Sequence, residues 1–274
     1  MGFISFKSKA INGLHIFVGV VQLCCIGGFA ERYSMIPNEP DFLNYLKIRN
    51  MDLTGPYGFP RVKGVRLRHP EDTRLLGFNY ATNKKTQDKD KQWVHFFLPD
   101  YRFQQVWNHP ENYIEVFRQY KGICSPDFSC YIGMPKAMQI FNVYRMAFLS
   151  AYYEREGIKV LPSVTWGEPD TYDWCFGWVP KGSAIVCSTV GCMQNKQATR
   201  EFLKGYEVML DRVQPFQVIL YGKVSDDVKA MYPDYTRVPD LMEIRKQTAL
   251  WRQPKNWSEI LEATDSKLSL EEKK

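Results

Sequence analysis

The chain has 274 residues, of which 45% are hydrophobic and 24% are charged, as in a globular protein with a hydrophobic core. Its seven cysteines, an odd number, argue against a disulfide scaffold and suit a reducing cytoplasm, and their spacing is too loose for a zinc knuckle. The net charge of +6 permits contact with nucleic acid but does not by itself indicate it.

Residues 1–34 form an N-terminal extension with a nearly continuous apolar stretch at 11–29. Three interpretations compete: a membrane anchor or signal segment, a packed strand or helix, and an upstream start codon ahead of a working protein that begins at Met35. Asn12, His15 and Gln22 weaken the first interpretation, because polar side chains disfavour insertion. We therefore do not expect a membrane partner.

Residues 35–92 are punctuated by proline and glycine, which predicts an irregular lead-in with short strands that pack on the main domain. The densest group of basic residues, between Arg61 and His69, lies in this segment. Residues 265–274 are charged and predict a frayed end.

Residues 93–264 alternate between apolar, β-branched or aromatic runs and helical patterns. The predicted strands cover residues 93–98, 122–125, 158–164, 183–188, 216–220 and 236–238, and the main helices begin near Pro110, Pro135 and Lys196. Strands that alternate with helices in this way predict an α/β fold with a parallel sheet. A barrel-like arrangement, closed or partly open, is preferred over a doubly wound sheet, because no glycine-rich phosphate loop follows any strand.

Several segments at the strand ends resemble one uncharacterised family. These are FFLPDYRFQQVW, SPDFSCY, MPKAMQIFNVYR, LPSVTW, VCSTVG and ILYG, all in the same order. The family, the domain of unknown function forty-four seventeen, occurs mostly in phages, prophages and mobile elements. The resemblance covers roughly residues 50–222 and implies a biological setting without a mechanism; the usual start of the family near Met35 favours the upstream-start interpretation.

Two aspartates are the strongest catalytic candidates. Asp100 and Asp127 each follow a buried strand and a proline. In a parallel sheet the ligand site lies at the carboxyl ends of the strands, so the two carboxylates could approach each other. Such a pair can divide into a proton donor and a base, or bind a divalent cation as cofactor. The alternative is that each Asp caps the next turn or helix.

Six further residues are candidates for ligand binding. Arg102 could clamp an anion or pair with one of the aspartates. Tyr131 and Trp166 could stack on a base or a sugar ring, although Trp166 could equally pack in the core. Glu168 lies in an acidic loop, Thr189 offers a hydroxyl after a strand, and Tyr221 ends the next strand. No set of metal ligands is predicted.

These observations leave two main hypotheses. The first is an enzyme whose acidic and aromatic site acts on a nucleotide, a sugar or a nucleic-acid component. The second is a non-catalytic factor of a phage or mobile element that binds nucleic acid or a host protein, based on the Arg61–His69 stretch and the family setting. A structural role in the virion is a third alternative, which the sequence neither supports nor excludes.

Overall fold

Contacts divide the chain into Met1–Pro40 and Asp41–Lys274. The computed structural model describes residues 41, 43–48 and 50–247, all within the second unit. The apolar stretch at 11–29, the alternative start at Met35 and the charged end at 265–274 therefore lie outside the described residues.

The described strands form one small antiparallel pair and two parallel sheets. The pair consists of β1 (Leu53–Thr54) and β2 (Phe59–Pro60). The first parallel sheet contains β3 (Arg74–Gly77), β4 (Gln92–His95), β5 (Gly122–Cys124) and β6 (Val160–Leu161). The second contains β7 (Ala184–Ser188), β8 (Gln217–Tyr221) and β9 (Tyr235–Val238).

Within each parallel sheet the strands follow their order in the chain. Leu75 of β3 is opposite Trp93 of β4, and Val94 is opposite Ile123 of β5. A single parallel bridge between Ser163 and Val186 joins the end of the first sheet to β7 of the second. Seven strands therefore run side by side and in parallel, so all their carboxyl ends lie along one edge.

The two faces of this strand series pack differently, because successive side chains on a strand point to opposite faces. One face packs into the large core that the helices share, with residues such as Leu76, Val94, Ile123 and Ile185. The other face forms a second apolar cluster to which every strand from β3 to β9 contributes. Its members are Leu67, Leu75, Trp93, Cys124, Leu161, Ala184, Val186, Ile219, Tyr221 and Val238.

Residues 65–67 cross the amino ends of the second sheet. The amide of Ala184 donates to the Val65 carbonyl at 2.7 Å. The side chain of Gln217 accepts from the Leu67 amide at 2.8 Å and donates to the Leu67 carbonyl at 2.6 Å. These bonds satisfy the backbone of an irregular segment and bring Leu67 into the second apolar cluster.

Helices connect the strands. They are α1 (Phe78–Ala81), α2 (Gln104–Asn108), α3 (Ile114–Phe117), α4 (Lys136–Arg155), α5 (Tyr172–Gly177), α6 (Lys196–Val213), α7 (Asp226–Met231) and α8 (Leu241–Gln247). Short 3₁₀ turns lie at Leu46–Ile48, Pro70–Asp72, Lys89–Lys91, Asp100–Arg102, Pro110–Tyr113 and Pro169–Thr171. In the part of the chain described, no helix combines the length and hydrophobicity required to cross a membrane.

The two longest helices begin and end where their sequences predict. Asn195 caps α6 by accepting the amide of Ala198, and Gln214 ends the helix in the left-handed conformation. Helix α4 follows Pro135, and most of its C-terminal half is buried in the large core. These helices connect β5 to β6 and β7 to β8, as crossovers between parallel strands require.

The predicted α/β class with parallel strands and alternating helices is confirmed. The structure differs from the sequence prediction at β3, which lies inside the segment 35–92 that was predicted to be an irregular lead-in. Among the described strands, no hydrogen-bonded ladder connects β9 back to β3, so a closed barrel is not observed.

Candidate functional site

The two predicted acids follow neighbouring strands. Strands β4 and β5 pair in parallel, so the segments that leave them begin at the same edge. Asp100 starts the 3₁₀ turn after β4, and Asp127 lies in the loop after β5. The negative charge of Asp100 lies close enough to raise the pKa of Asp127. The local order of strand, proline and aspartate thus brings the two carboxyl groups together.

Ser129 holds the carboxylate of Asp100 in place. Its amide donates to the two carboxylate oxygens at 3.3 and 3.2 Å, and its hydroxyl donates to one of them at 2.8 Å. The Ser129 hydroxyl also lies 2.9 Å from that of Tyr131. Because a serine hydroxyl has only one proton, it accepts from Tyr131 while it donates to Asp100. Tyr131, Ser129 and Asp100 therefore form one hydrogen-bonded chain.

Asp127 differs from Asp100 in its environment. It is half-buried, and no donor among the described residues forms a hydrogen bond with its carboxyl group. Burial, with a further contribution from the charge of Asp100, raises the pKa of Asp127 to about 7. A carboxyl group with a pKa near neutrality can both donate and accept a proton at physiological pH, which is what general acid–base catalysis requires.

Four thiols lie within electrostatic range of Asp127, namely those of Cys124, Cys130, Cys187 and Cys192. Cys124 and Cys187 are fully buried at the ends of β5 and β7, and burial together with the charge of Asp127 raises the pKa of each. The same two causes raise the pKa of Cys192 to about 11. Thiols in this state hold their protons near neutral pH and are poor nucleophiles. Asp127, rather than one of these thiols, therefore has the pKa closest to neutrality among these groups.

Arg145 of α4 is a buried cation that lies within electrostatic range of Asp100. Its guanidinium carbon lies 3.6 Å from the centre of the Phe128 ring, and Nη1 donates to Gln104 at 2.9 Å. Burial lowers the pKa of Arg145 to about 10, and the charge of Asp100 opposes this shift. The buried Nε of Arg145 has no hydrogen-bond partner. Arg145 thus places a buried positive charge near the carboxylate of Asp100.

A cavity of about 380 Å³, which we call the Trp166 cavity, is lined by Cys130 and Tyr131, the residues that follow Ser129 in the chain. Its aromatic walls are Tyr131, which is 64% exposed, and Trp166. Cys130 and Cys192, both within electrostatic range of Asp127, also line it. The remaining lining residues are Ile132, Val164, Thr165, Gly167, Ser188, Val190, Gly191, Ala198, Glu201 and Phe202.

Close packing sets the orientation of the Trp166 ring. Its ring centre lies 5.0 Å from that of Phe202 and 5.8 Å from that of Phe176. The ring lies against Gly205 of α6, where an added Cβ would approach the indole nitrogen to 2.1 Å. Gly205 is required there because no larger residue leaves room for the indole. Trp166 therefore packs in the core on one side and lines the cavity on the other.

Two predicted residues hold loops of the site. Glu168 accepts the amide of Gly133 at 2.6 Å and the ammonium group of Lys136 at 2.8 Å. These bonds, that with Lys136 first, lower the pKa of Glu168 to about 2. Thr189 is buried, and its hydroxyl donates to the Tyr221 carbonyl at 3.1 Å. Glu168 therefore fixes the loop that carries Tyr131 through these bonds. The Thr189 hydroxyl links the ends of β7 and β8 by its hydrogen bond.

The other two predicted residues lie elsewhere. Arg102 is exposed, and its Nε donates to the hydroxyl of its neighbour Tyr101 at 3.3 Å. This bond raises the pKa of Arg102, which does not line the Trp166 cavity. Tyr221 lines a different cavity, between β4 and β8. The structure thus brings Asp100 near Asp127 and links Asp100 through Ser129 to Tyr131, which lines the Trp166 cavity together with Trp166. Neither aspartate lines that cavity itself, and Arg102 and Tyr221 lie outside it.

Metal-ligating side chains gather at a different place. Among the described residues, one group has ligand atoms within 4.8 Å of one another, namely His69, Glu71 and Asp72, all exposed. Exposed acidic groups of this kind are common without an ion. Asp100 and Asp127 do not belong to it. Their unequal environments fit a proton donor and its partner better than a shared cation.

The model of the family described as "Domain of unknown function (DUF4417)" matches residues 51–241. The chain belongs to this family. The match begins before β1 and ends at the first residue of α8, so it contains every described strand.

Two relatives of the DUF4417 chain are phage proteins. The Gene 1 protein of Mycobacterium phage L5 is 35% identical over 185 residues, which are 67% of this chain and 76% of that protein. The Gene 1 protein of Mycobacterium phage D29 is 37% identical over 150 residues, 55% of this chain and 53% of that protein. The chain thus spans about half the length of the D29 relative. No solved structure matches it significantly.

Sequence reasoning missed several residues of the DUF4417 site. Ser129 holds the Asp100 carboxylate and Arg145 places a positive charge near it, but nothing in the spacing of these residues indicated this. His95 is a further residue that was not among the candidates, and its ring lines the cavity that contains Tyr221. Its position as the last residue of β4 was the available signal, because side chains at the carboxyl end of a parallel strand border the ligand site.

Proposed function

We propose that the DUF4417 domain is an enzyme that transfers a proton through Asp127 to or from a ligand bound in the Trp166 cavity. The observation that carries this proposal is the half-buried Asp127 carboxyl group, which lacks a hydrogen-bond donor among the described residues and has a pKa of about 7. Maintaining such a group is unfavourable for folding, and perturbed carboxyl groups concentrate at functional sites. Asp127 is the proposed proton donor and acceptor.

Asp100 is the second member of the proposed catalytic pair. Three hydrogen bonds from Ser129 fix its carboxylate, and its charge favours the protonated form of Asp127. Two carboxyl groups in unequal environments take different roles in acid–base chemistry. The buried positive charge of Arg145 partly offsets the negative charge of Asp100.

The proposed ligand is a nucleotide, a sugar or a nucleic-acid component. Tyr131 and Trp166 provide flat faces on which a base or a sugar ring can stack. Glu168 and Thr189 position the surrounding loops. Arg102 is exposed outside this cavity, where it can meet an anionic group of a larger ligand. Tyr221 belongs to the neighbouring cavity, which has a separate ligand.

We further propose that the seven parallel strands form a partly open barrel around the second apolar cluster. That cluster takes side chains from every strand from β3 to β9. The rings of His95, at the end of β4, and of Phe97, just after it, lie 4.6 and 5.1 Å from the ring of Tyr221 on β8. Strands β4 and β8 are not neighbours in the strand order, so contact between their side chains supports a strongly curved sheet. The ligand site would then lie at the mouth, as in other barrels.

A ligand screen followed by a turnover assay tests the enzymatic proposal. Nucleosides, nucleotides, monosaccharides and short oligonucleotides are added separately to the full chain, and binding is measured by thermal shift. Each compound that binds is then incubated with the chain and followed by proton NMR for conversion. We expect at least one to be converted, and we expect Asp127→Asn to abolish conversion while it retains binding.

Asp211→Asn is the matched control, because it removes an exposed aspartate of α6 and should leave the rate unchanged. Equal conversion by Asp127→Asn and the unmodified chain would refute the role of Asp127. Loss of both binding and folded structure in Asp127→Asn would instead assign it a structural role.

A groove at the opposite edge favours a second candidate function, the binding of nucleic acid. Lys121 directly precedes β5 and Lys159 directly precedes β6, and both line a cavity of about 490 Å³ together with Arg66 and Arg68. Lys121, Lys159 and Arg68 form no ion pair with another described residue. Unpaired cations from three separate segments line this one groove, and such cations can bind the phosphate backbone of a nucleic acid.

Fluorescence anisotropy with a labelled oligonucleotide at several salt concentrations tests this second function. We expect binding by the unmodified chain, and for the Lys121→Ala/Lys159→Ala variant a salt slope smaller by about two. The control is Lys196→Ala/Lys223→Ala, which removes two exposed lysines outside the groove. The same slope for both double variants, or no binding at low salt, would contradict a role of the groove in binding nucleic acid.

The setting of either function is proposed to be the host cytoplasm during growth of a phage or mobile element. Both phage relatives support this setting. The described cysteines are all free thiols, which also suits a reducing compartment.

A further inference from the structure

A second cavity lies at the carboxyl edge, between β3, β4, β8 and the start of α8, and we call it the His95 cavity. Its volume is about 240 Å³. Leu75, Leu98, Met242 and Ile244 are among its apolar walls. A cavity of about 150 Å³ already accommodates benzene in a protein core, so this one has room for a substituted six-membered ring.

His95 places a hydrogen-bond donor in this cavity. The residue is 4% exposed, and its Nδ1 accepts the amide proton of Phe97 at 3.2 Å. Burial lowers the pKa of His95 to about 3, so the ring is neutral at physiological pH. A neutral imidazole whose Nδ1 accepts carries its proton on Nε2. This Nε2–H has no partner among the described residues, and an unmet donor in a nearly buried side chain is unfavourable unless a ligand accepts from it.

Tyr221 provides a second donor and an aromatic wall. Its hydroxyl oxygen accepts the amide of Leu241 at 3.2 Å, and no acceptor among the described residues receives the hydroxyl proton. Burial raises the pKa of Tyr221, so this proton is retained. The rings of Phe97 and Tyr221 stack with their centres 5.1 Å apart. The cavity thus combines two uncharged donors with flat apolar walls.

The charges around the cavity restrict the ligand further. Among the described residues, Asp240 is the only charged residue that lines it; the nearby Arg245 donates to the hydroxyl of the lining residue Tyr80 at 3.3 Å. An anion would be repelled by Asp240, and a cation would face the Nε2–H of His95. We propose that the His95 cavity binds a planar, uncharged ring compound whose carbonyl oxygen or ring nitrogen accepts from His95 Nε2.

This site is separate from the proposed catalytic pair. Asp100, Asp127, Tyr131 and Trp166 do not line it, and Val190 is the one residue common to the two cavities. Binding here can therefore succeed or fail independently of any turnover at Asp127.

Three probes of similar size test the proposal on the full chain. Benzamide has an uncharged carbonyl, benzoate is its anionic counterpart, and toluene lacks an acceptor. Histidines are labelled with nitrogen-15, and the chain contains four. We expect benzamide at millimolar concentration to shift the Nε2 signal of His95 and to leave those of the exposed His69 and His109 unchanged. Benzoate and toluene should bind at least about tenfold more weakly, as expected for the loss of one hydrogen bond.

Two substitutions distinguish the contribution of the His95 hydrogen-bond donor to binding from the contribution of the ring shape. His95→Phe keeps a ring but removes the donor, and should weaken benzamide binding about tenfold. His95→Gln places an amide donor near the position of Nε2 and should restore part of the affinity. No shift of His95 with benzamide in the unmodified chain, or equal shifts with toluene, would overturn the proposal even if both variants failed to fold.

Discussion

Replacing Asp127 with Asn is expected to stabilise the folded domain above neutral pH. The folded pKa of about 7 is higher than the ordinary value of 3.8, so the folded state binds more protons than the unfolded state between these two values. The free energy of unfolding therefore falls as the pH rises through this window. A shift of about three pKa units corresponds to about 4 kcal/mol in total. An Asn at this position is always neutral, so it removes this dependence.

Urea unfolding of the two proteins at about pH 5 and about pH 8 measures the effect. Between these conditions the stability advantage of Asp127→Asn should grow by about 3 kcal/mol, because most of the window lies between them. Asp211→Asn, which changes an exposed aspartate, should show no such growth. A variant that is destabilised equally at both pH values would refute the reasoning, since it would mean that the carboxylate stabilises the fold.

Three further substitutions test the packing and electrostatics around the site. Gly205→Ala should lower the free energy of unfolding by about 1–3 kcal/mol and change the tryptophan fluorescence, because its Cβ would displace Trp166; unchanged stability and fluorescence would contradict the close packing. Gln217→Leu should reduce stability by about 1–3 kcal/mol in urea unfolding, because it removes both partners of the Leu67 backbone. Lys136→Met should raise the pKa of Glu168 from about 2, as followed by NMR titration, and an unmoved pKa would show that other donors control it.

Much of the strand and helix pattern followed directly from the sequence. The starts predicted for the two longest helices, near Pro135 and Lys196, agree with Lys136–Arg155 and Lys196–Val213 to within about two residues. Strand β3 was missed because its four residues, RLLG, lead directly into α1 and leave no room for a periodic pattern. The apolar run 158–164 contains only a two-residue strand that pairs with β5, and beyond it the chain bonds to Val186 of β7 instead.

The site could be predicted only in part. The approach of Asp100 and Asp127 follows from parallel neighbouring strands, which sequence periodicity can indicate. The exposure of Arg102 follows from the direction of a single 3₁₀ turn, which residue types do not determine. The basic groove was also beyond prediction, because Lys121 and Lys159 are isolated in the sequence and meet the Arg66–Arg68 segment only after folding.

A carbon-13 NMR titration of the Asp127 carboxyl group tests the central claim most directly. The signal is assigned by its absence in Asp127→Asn, and its chemical shift is followed across the pH range in which the chain stays folded. An acid–base site at the carboxyl edge predicts a midpoint of about 7. A midpoint near the ordinary value of 3.8 would contradict it, because Asp127 would then be a permanently charged surface carboxylate.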